Sequence, residues 1–185
     1  MMAVETVDME LGFTAPSFSL LNTLDGQMTT LDSLKSDKAT VVMFICNHCP
    51  YVMRIQQGLI SLANDYLPKG VAFIAISSNS IVSHPQDGPE RMKELGEELG
   101  FPFPYLYDES QDVAREYGAA CTPDFSIFNG TMACVYRGRF DDSRAGGDRP
   151  VNGSDIRNAL DNLLSGNAVD PEQKHSIGCS IKWHP

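Results

Sequence analysis

Residues 41–59 read VVMFICNHCPYVMRIQQGL and pass from an apolar run, through two cysteines, to a helical pattern. Residues 41–45 are apolar and rich in β-branched side chains, which is typical of a fully buried strand. Pro50 suits the first position of a helix, where its missing amide hydrogen costs nothing. An apolar stripe then predicts a helix of about four to five turns; it comprises Val52, Ile55, Leu59, Leu62 and Tyr66.

The rest of the chain alternates short apolar runs with helical patterns. Further strands are predicted at 71–77 and 103–106, and at 125–128 and 132–136 on either side of Asn129-Gly130. Helices are predicted at 89–99, from a cap at Asp108 to Tyr117, and after a cap at Ser154. Parallel strands with helical crossovers, followed by an antiparallel hairpin, predict a thioredoxin-like α/β fold. Its mixed central sheet has helices on both faces.

The composition argues against several classes of partner. The 185 residues carry a formal net charge of −10, whereas binding nucleic acid requires clustered Lys and Arg. The same charge disfavours an anionic membrane surface, and the longest apolar run, at 39–46, is too short to span a bilayer. The N-terminus lacks the basic start of a secretory signal. We therefore expect a cytoplasmic protein, with no membrane or nucleic-acid partner and with reduced thiols.

Two of the five cysteines, Cys46 and Cys49, lie at the predicted strand-to-helix junction. Two cysteines three residues apart in a cytosolic chain indicate a redox or metal site. If Pro50 begins the helix, Cys49 is its N-cap, where backbone amides and the helix dipole favour a nucleophilic thiolate and where access should be better. Cys46 ends an apolar strand, where burial raises a thiol pKa. We predict Cys49 as the nucleophile and Cys46 as the resolving thiol.

Longer motifs extend over nearly the whole chain. They are CNHCPY at 46–51, AISSN at 75–79, FPYL at 103–106, DESQDVA at 108–114, YGAACTPDF at 117–125, YRGRFDDSR at 136–144 and GCSIKW at 178–183. Together they resemble the peroxiredoxin-like branch of the AhpC/TSA redoxin family. The resemblance implies a thioredoxin-like fold with an N-terminal extension, here one domain over residues 1–185. We expect residues 167–185 to fold back onto it through Ile181 and Trp183, and leave open whether Cys179 reaches the site.

The sequence departs from both motifs of that family. Counting from the aromatic residue at the strand's end, the resemblance places the first thioredoxin cysteine at Cys49, but Val52 occupies the place of the second. Met43 stands where thioredoxin has a buried acid, which removes a proton acceptor for the resolving step. The peroxiredoxin motif has Thr or Ser three residues before its cysteine and Pro seven before, and Cys46 and Val42 stand there. These departures weaken a peroxidase function.

Thr122-Pro123 stands where thioredoxin-fold proteins carry a cis-proline, so the resemblance implies a cis bond packed beside Cys49. Cys121 precedes this pair and either faces the Cys49 sulfur or is a buried spacer. Cys134 lies in an apolar strand and is expected in the core.

Three polar residues are candidate supports for the thiols. His48 either stabilises a thiolate, binds a metal or occupies a partly exposed turn. Arg137 and Arg139 follow the last strand, whose antiparallel return brings its end to the Cys49 edge. They either stabilise the thiolate or bind an anionic thiol such as glutathione, or they form a self-paired surface loop.

These residues leave several functions open. The leading hypothesis is a thiol–disulfide oxidoreductase that acts on protein or small-molecule thiols and disulfides as a monomer or homodimer. An alternative is a thiol peroxidase that condenses a Cys49 sulfenic acid with Cys46, Cys121 or Cys179. A third is a Zn or Cu(I) site built from Cys46, His48, Cys49 and a later Cys or His, and a fourth is a non-catalytic partner-binding domain. The leading hypothesis requires neither cofactor nor metal, and the sequence does not identify the electron donor.

Overall fold

The computed structural model describes residues 3–185, and this part of the chain forms ten β-strands and five α-helices. The strands are β1 (Ala3–Glu5), β2 (Ser19–Asn22), β3 (Gln27–Thr30), β4 (Ala39–Phe44), β5 (Val71–Ser77), β6 (Tyr105–Tyr107), β7 (Cys121–Thr122), β8 (Asp124–Asn129), β9 (Cys134–Gly138) and β10 (Ile177–Ser180). The helices are α1 (Leu31–Leu34), α2 (Pro50–Tyr66), α3 (Pro89–Leu99), α4 (Asp112–Glu116) and α5 (Ser154–Leu164). None of the described helices is long and apolar enough to cross a membrane.

Seven strands form the central sheet, in the order β3-β2-β6-β5-β4-β8-β9. Strand β5 pairs in parallel with β4 on one side and β6 on the other, while the outer pairs are antiparallel. Every residue of β4 is buried, as its uninterrupted apolar pattern predicts. This mixed sheet confirms the thioredoxin-like α/β fold that the order of elements predicted.

Successive side chains of β4 enter two different cores, because neighbours on a strand point to opposite faces of the sheet. Val41 and Met43 belong to the core that contains residues of α2, α3 and α5. Val42 and Phe44 belong to the core that contains residues of α1 and α4. The predicted apolar stripe of α2 is buried throughout. The start of α2, and with it the cysteine pair, is therefore fixed against the end of β4.

Strands β1 and β10 form a second, three-stranded sheet together with β7, in the order β1-β10-β7. Within it Cys179 of β10 is paired with Thr122 of β7. The C-terminal segment is therefore packed on the domain, with Ile181 buried. Trp183 is not the buried anchor that we expected, because 39% of its surface remains exposed.

The hairpin after β8 differs from the prediction. Strand β9 begins at Cys134, two residues later than expected, because the Asn129 side chain accepts hydrogen bonds from the amides of Thr131 and Ala133 and so builds a longer loop. The positive φ of this loop lies at Met132 and not at Gly130. Gly130 is needed for another reason: a Cβ there would lie 2.1 Å from the carbonyl oxygen of Asp37.

Two predicted helix starts and one strand also need correction. Gln111, in a left-handed conformation, is the N-cap of α4, while the Asp108 carboxylate accepts the Ala114 amide at 2.9 Å from outside the helix. Gly153, also left-handed, precedes α5, so Ser154 is its first residue rather than its cap. Strand β6 starts two residues later than predicted, at Tyr105.

We predict that Gly130→Ala destabilises the protein by about 1–3 kcal/mol, because the new methyl group would overlap a backbone oxygen that cannot move alone. Thermal unfolding of the variant against the parent measures this. Gly147→Ala is the matched control, since its nearest neighbour would be 3.2 Å away, in an exposed loop. Equal unfolding midpoints for Gly130→Ala and the parent would show that the close packing of Gly130 against the Asp37 carbonyl does not require a glycine.

Candidate thiol site

Cys46 and Cys49 lie in the connection between β4 and α2. Cys49 is the N-cap of α2, with extended backbone, and Pro50 is the first helical residue, as the sequence predicted. The Cys49 carbonyl accepts the Met53 amide at 2.9 Å, which closes the first helical turn. Both cysteine side chains are buried. The expectation that the helix end makes Cys49 accessible is therefore wrong, because tertiary contacts with β7 and β10 cover its sulfur.

Three thiols converge on Thr122. Cys49 Sγ lies 3.1 Å from the Thr122 carbonyl oxygen, and Cys46 Sγ lies 3.4 Å from Thr122 Oγ1. The third thiol is Cys179, whose Sγ lies 2.9 Å from Cys49 Sγ. The Thr122–Pro123 peptide bond is cis. The segment that the family resemblance singled out thus lies directly against Cys49.

The neighbours of Cys49 favour its thiolate. The neighbouring Cys46 thiol is the largest influence and lowers the pKa of Cys49, burial opposes it, and Cys179 and the Val52 amide add to the lowering. The Val52 amide acts without the geometry of a capping hydrogen bond to Cys49. The mechanism expected from the N-cap position is therefore only part of the cause, because the sulfur is turned toward Thr122 and Cys179 and the neighbouring thiols act more strongly than the helix.

The same contacts keep the other two thiols neutral. The hydrogen bond with Cys49, followed by burial, raises the pKa of Cys46 well above its ordinary value. Burial, followed by the hydrogen bond with Cys49, raises the pKa of Cys179 to about 12. The directions of these three pKa shifts favour a negative charge on Cys49 over one on either neighbouring thiol. This distribution is consistent with Cys49 as the nucleophile.

His48 lies near the Cys46 thiol and a buried carboxylate, that of Asp87. Its Nδ1 is 2.6 Å from Asp87 Oδ2, a close contact too bent for a regular hydrogen bond. Its ring stacks on His84 with centroids 4.8 Å apart. Cys46 Sγ, one nitrogen of His48 and one Asp87 oxygen all lie within 4.8 Å of one another. Nε2 of His48 has no hydrogen-bond partner among the described residues.

Asp87 is the residue of this site that sequence reasoning missed. It is completely buried, and its carboxylate accepts the Asn47 amide and the Asn79 side chain, each at 2.9 Å. These bonds fix the carboxylate against the loop that carries His48. Asp87 lies among the Ser, Pro, Asp and Gly residues of 83–88, and no local motif distinguishes it from an ordinary loop residue.

The remaining candidate cysteines lie apart from the contacts at Cys49. Cys121 is buried, and its thiol donates to the Pro123 carbonyl at 3.7 Å, so it does not bond to Cys49. Burial, followed by the charge of Asp124, raises the pKa of Cys121 above its ordinary value. Cys134 is in the core, as predicted, and donates to the Tyr136 carbonyl at 3.3 Å.

Arg137 does not support the thiolate. Its buried guanidinium donates to the carbonyls of Val7, Tyr117 and Gly118 and lies 3.5 Å from Asp124 Oδ2. Burial nevertheless raises the pKa of Asp124 to about 6. The guanidinium therefore compensates a buried acid and unpaired backbone carbonyls, because β9 carries it to the side of β8 away from Cys49.

Arg139 lies nearer the site but is paired elsewhere. Its Nε is 2.6 Å from Asp155 Oδ2. It lines a shallow groove together with Arg54, Arg144, Pro123 and Ile177. This places Arg139 beside the cis-proline without a hydrogen bond to Cys49.

Comparison with known proteins gives a family and a fold. A model of the AhpC/TSA family matches residues 11–140. An uncharacterised conserved protein from Geobacillus kaustophilus is similar at 58% identity, with 100% of this chain and 98% of that chain covered and a TM-score of 0.98. A hypothetical protein from Sinorhizobium meliloti is similar at 42% identity, covering 97% and 98%, with a TM-score of 0.94.

A more distant similarity concerns the fold alone. A peroxidoxin from Mycobacterium tuberculosis is 18% identical, with 85% of this chain and 98% of that chain covered and a TM-score of 0.63. The comparison with curated proteins finds no match.

We predict that Cys46→Ala raises the pKa of Cys49 by about one to two units, since a hydrogen bond to a charged group is worth about 1.5–3 kcal/mol. The thiolate of the variant should then appear at higher pH when its ultraviolet absorbance is followed in a titration. Cys46→Ser keeps a hydroxyl donor and should shift less, and Cys134→Ser is the control for removing a distant thiol. Superimposable curves for Cys46→Ala and the parent would contradict the assigned hydrogen bond.

Proposed function

The chain belongs to the AhpC/TSA family, and from this premise we propose that it is a thiol–disulfide oxidoreductase in which Cys49 attacks and Cys46 resolves. The observation that carries the proposal is the position of Cys49 at the start of α2, with Cys179 Sγ 2.9 Å away and Cys46 three residues before it, surroundings that lower the pKa of Cys49. Disulfide exchange requires a cysteine with a low pKa, which attacks, and a second thiol close to it, which resolves the mixed disulfide.

The proposed reaction proceeds by two exchanges. The Cys49 thiolate attacks one sulfur of a substrate disulfide; a mixed disulfide forms, the substrate S–S bond breaks, and the first substrate thiolate leaves and takes a proton. Cys46 then loses its proton and attacks Cys49 Sγ, which forms the Cys46–Cys49 disulfide and releases the second substrate thiolate. An electron donor of the thiol class reverses these steps and regenerates the dithiol.

The raised pKa of Cys46 favours its protonated form. The second exchange therefore needs a group that accepts the proton of Cys46. We assign this role to His48, held by Asp87. The imidazole lies within reach of Cys46, and its Nε2 has no partner among the described residues. Asp87 Oδ2 lies 2.6 Å from His48 Nδ1, so the carboxylate orients the ring. The pair takes over the function of the buried acid that Met43 replaces.

The groove beside Pro123 is the place where we propose that a substrate or an anionic thiol docks. Arg54 and Arg144 each donate to a backbone carbonyl, while Arg139 is paired with Asp155. Three arginines and one carboxylate, that of Asp141, line this groove, and the excess of arginine favours an anionic group despite the negative net charge of the chain. The protein is proposed to act in the cytoplasm, the compartment that its sequence suggests.

A second candidate function is binding of a soft metal ion. The observation that favours it is the proximity of Cys46 Sγ, a His48 nitrogen and an Asp87 oxygen, since thiolate and imidazole are ligands for zinc and Cu(I). Against it, the Asp87 carboxylate already accepts two hydrogen bonds. Metal analysis of the purified protein and zinc protection of Cys46 from alkylation distinguish this function from redox exchange.

We predict that Cys49→Ser reduces disulfide reduction to background, because the nucleophile is lost. Cys46→Ser should still attack and should accumulate mixed disulfides, since the resolving thiol is absent. Insulin reduction with dithiothreitol and non-reducing mass spectrometry measure these two effects, with Cys134→Ser as the control. If Cys49→Ser accumulates mixed disulfides through Cys46, the roles are reversed.

We further predict that Asp87→Asn slows the release of substrate from the mixed disulfide by about 10²-fold, as expected when a general base loses its support. The rate at which Cys49 first attacks should change little. Stopped-flow measurement of both phases separates the two steps. Asp112→Asn serves as the control, because the Asp112 carboxylate is exposed and its ion-pair partner is Arg115. Equal slowing of both phases would indicate a structural role for Asp87 instead.

A further inference from the structure

We infer that Cys179, in the C-terminal strand, is a third redox thiol, and that it forms a disulfide with Cys49 when the protein is oxidised by a small disulfide. The inference deepens the proposed function and rests on it, since it requires Cys49 to be the nucleophile. It assigns a catalytic thiol that lies 130 residues from Cys49 in sequence.

The first support is distance. Cys49 Sγ and Cys179 Sγ are 2.9 Å apart, and a disulfide bond is about 2.05 Å long. A shift of less than one ångström in one side chain would therefore bring the sulfurs to bonding distance. Cys46, by contrast, has its thiol against the Thr122 hydroxyl at 3.4 Å.

The second support is that backbone pairing holds Cys179 in this position. Strand β10 pairs with β7, which puts Cys179 opposite Thr122, and with β1 on its other side. Beyond the strand, the Ile181 amide donates to the Ala120 carbonyl at 3.0 Å and the Lys182 amide donates to the Asn79 side chain at 2.8 Å. The thiol is thus presented by an anchored strand.

The third support is Gly178, which lets β10 come this close. A Cβ at Gly178 would lie 1.9 Å from the Thr122 carbonyl oxygen and 3.1 Å from the Pro123 nitrogen. Every other residue would push the strand away from Thr122, and Cys179 would move away from Cys49 with it. The approach of the sulfurs therefore depends on a residue without a side chain.

In the proposed reaction the small disulfide is the oxidant, and it takes up the two electrons that the protein thiols lose. The Cys49 thiolate attacks it, a Cys49 mixed disulfide forms, and one small thiolate leaves and is protonated. Cys179 then loses its proton and attacks Cys49 Sγ, forming the Cys49–Cys179 bond and expelling the second small thiolate, which takes that proton. Two protein thiols are oxidised and one disulfide is reduced.

The competition between Cys46 and Cys179 follows from the position of the strand. Strand β10 covers the buried sulfur of Cys49, so a protein substrate has to displace it and removes Cys179 from reach. Cys46 then remains as the resolving thiol. A small disulfide leaves β10 close to its docked position, and Cys179 competes for Cys49.

The test is to oxidise the full chain with hydroxyethyl disulfide and to map the linked peptides after cleavage by trypsin. Cys46 and Cys49 fall in one peptide, 39–54, and Cys179 falls in another, 175–182. A Cys46–Cys49 disulfide is therefore internal to one peptide, whereas a Cys49–Cys179 disulfide joins two. Trapping is done in acid, so that the linkages do not rearrange.

We expect the joined peptides in the parent, in Cys46→Ser and in the Cys134→Ser control, and their loss in Cys179→Ser and Cys49→Ser. Gly178→Ala should lower the yield of the joined pair while Cys49 still reacts. A Cys49 adduct or an internal disulfide, without any joined pair in the parent or in Cys46→Ser, would overturn this inference and leave the proposed function standing. Absence of every Cys49 product would overturn both.

Discussion

The positions of the three thiols depend on the position of Thr122, which contacts or pairs with each of the three cysteines. The Thr122 carbonyl oxygen contacts Cys49 Sγ, its hydroxyl contacts Cys46 Sγ, and its backbone pairs with that of Cys179. A displacement of this short segment would change all three sulfur positions at once. The close approach of Gly178 to the same carbonyl shows how little space is left there. The three thiols are thus a single packed unit.

The pKa of Cys49 is lowered although this sulfur is buried in a chain with a net charge of −10. Arginine would be the usual partner of a thiolate, but Arg137 is occupied by Asp124 and by backbone carbonyls. The neighbouring Cys46 and Cys179 thiols lower the pKa instead. Neutral neighbours of this kind avoid the desolvation cost of burying a counter-charge.

The polar side of the site comes from the loop between β5 and α3. That loop follows the carboxyl end of a parallel strand, the edge at which α/β sheets build their sites. It brings Asp87 to His48, and through His48 to Cys46. The buried carboxylate costs little here because the Asn47 amide and the Asn79 side chain satisfy it. In the proposed mechanism, proton transfer therefore takes place at Cys46, while Cys49 attacks the substrate.

The sequence by itself determined the existence of strands β4, β5, β6, β8 and β9, the long helix α2 and the placement of Cys46 and Cys49 between β4 and α2. These follow from apolar patterning and from Pro50, which act over a few residues and are hardly changed by distant contacts. The sequence did not determine the burial of Cys49, the proximity of Cys49 to Cys179, the contact of Asp87 with His48 or the pairing of Arg137 with Asp124. Each of these depends on residues far apart in sequence, 130 positions in the case of the two sulfurs and 40 between Asn47 and Asp87. Only tertiary structure decides such contacts, because the register of β10 on β7 and the path of a loop are set by packing that no local pattern encodes.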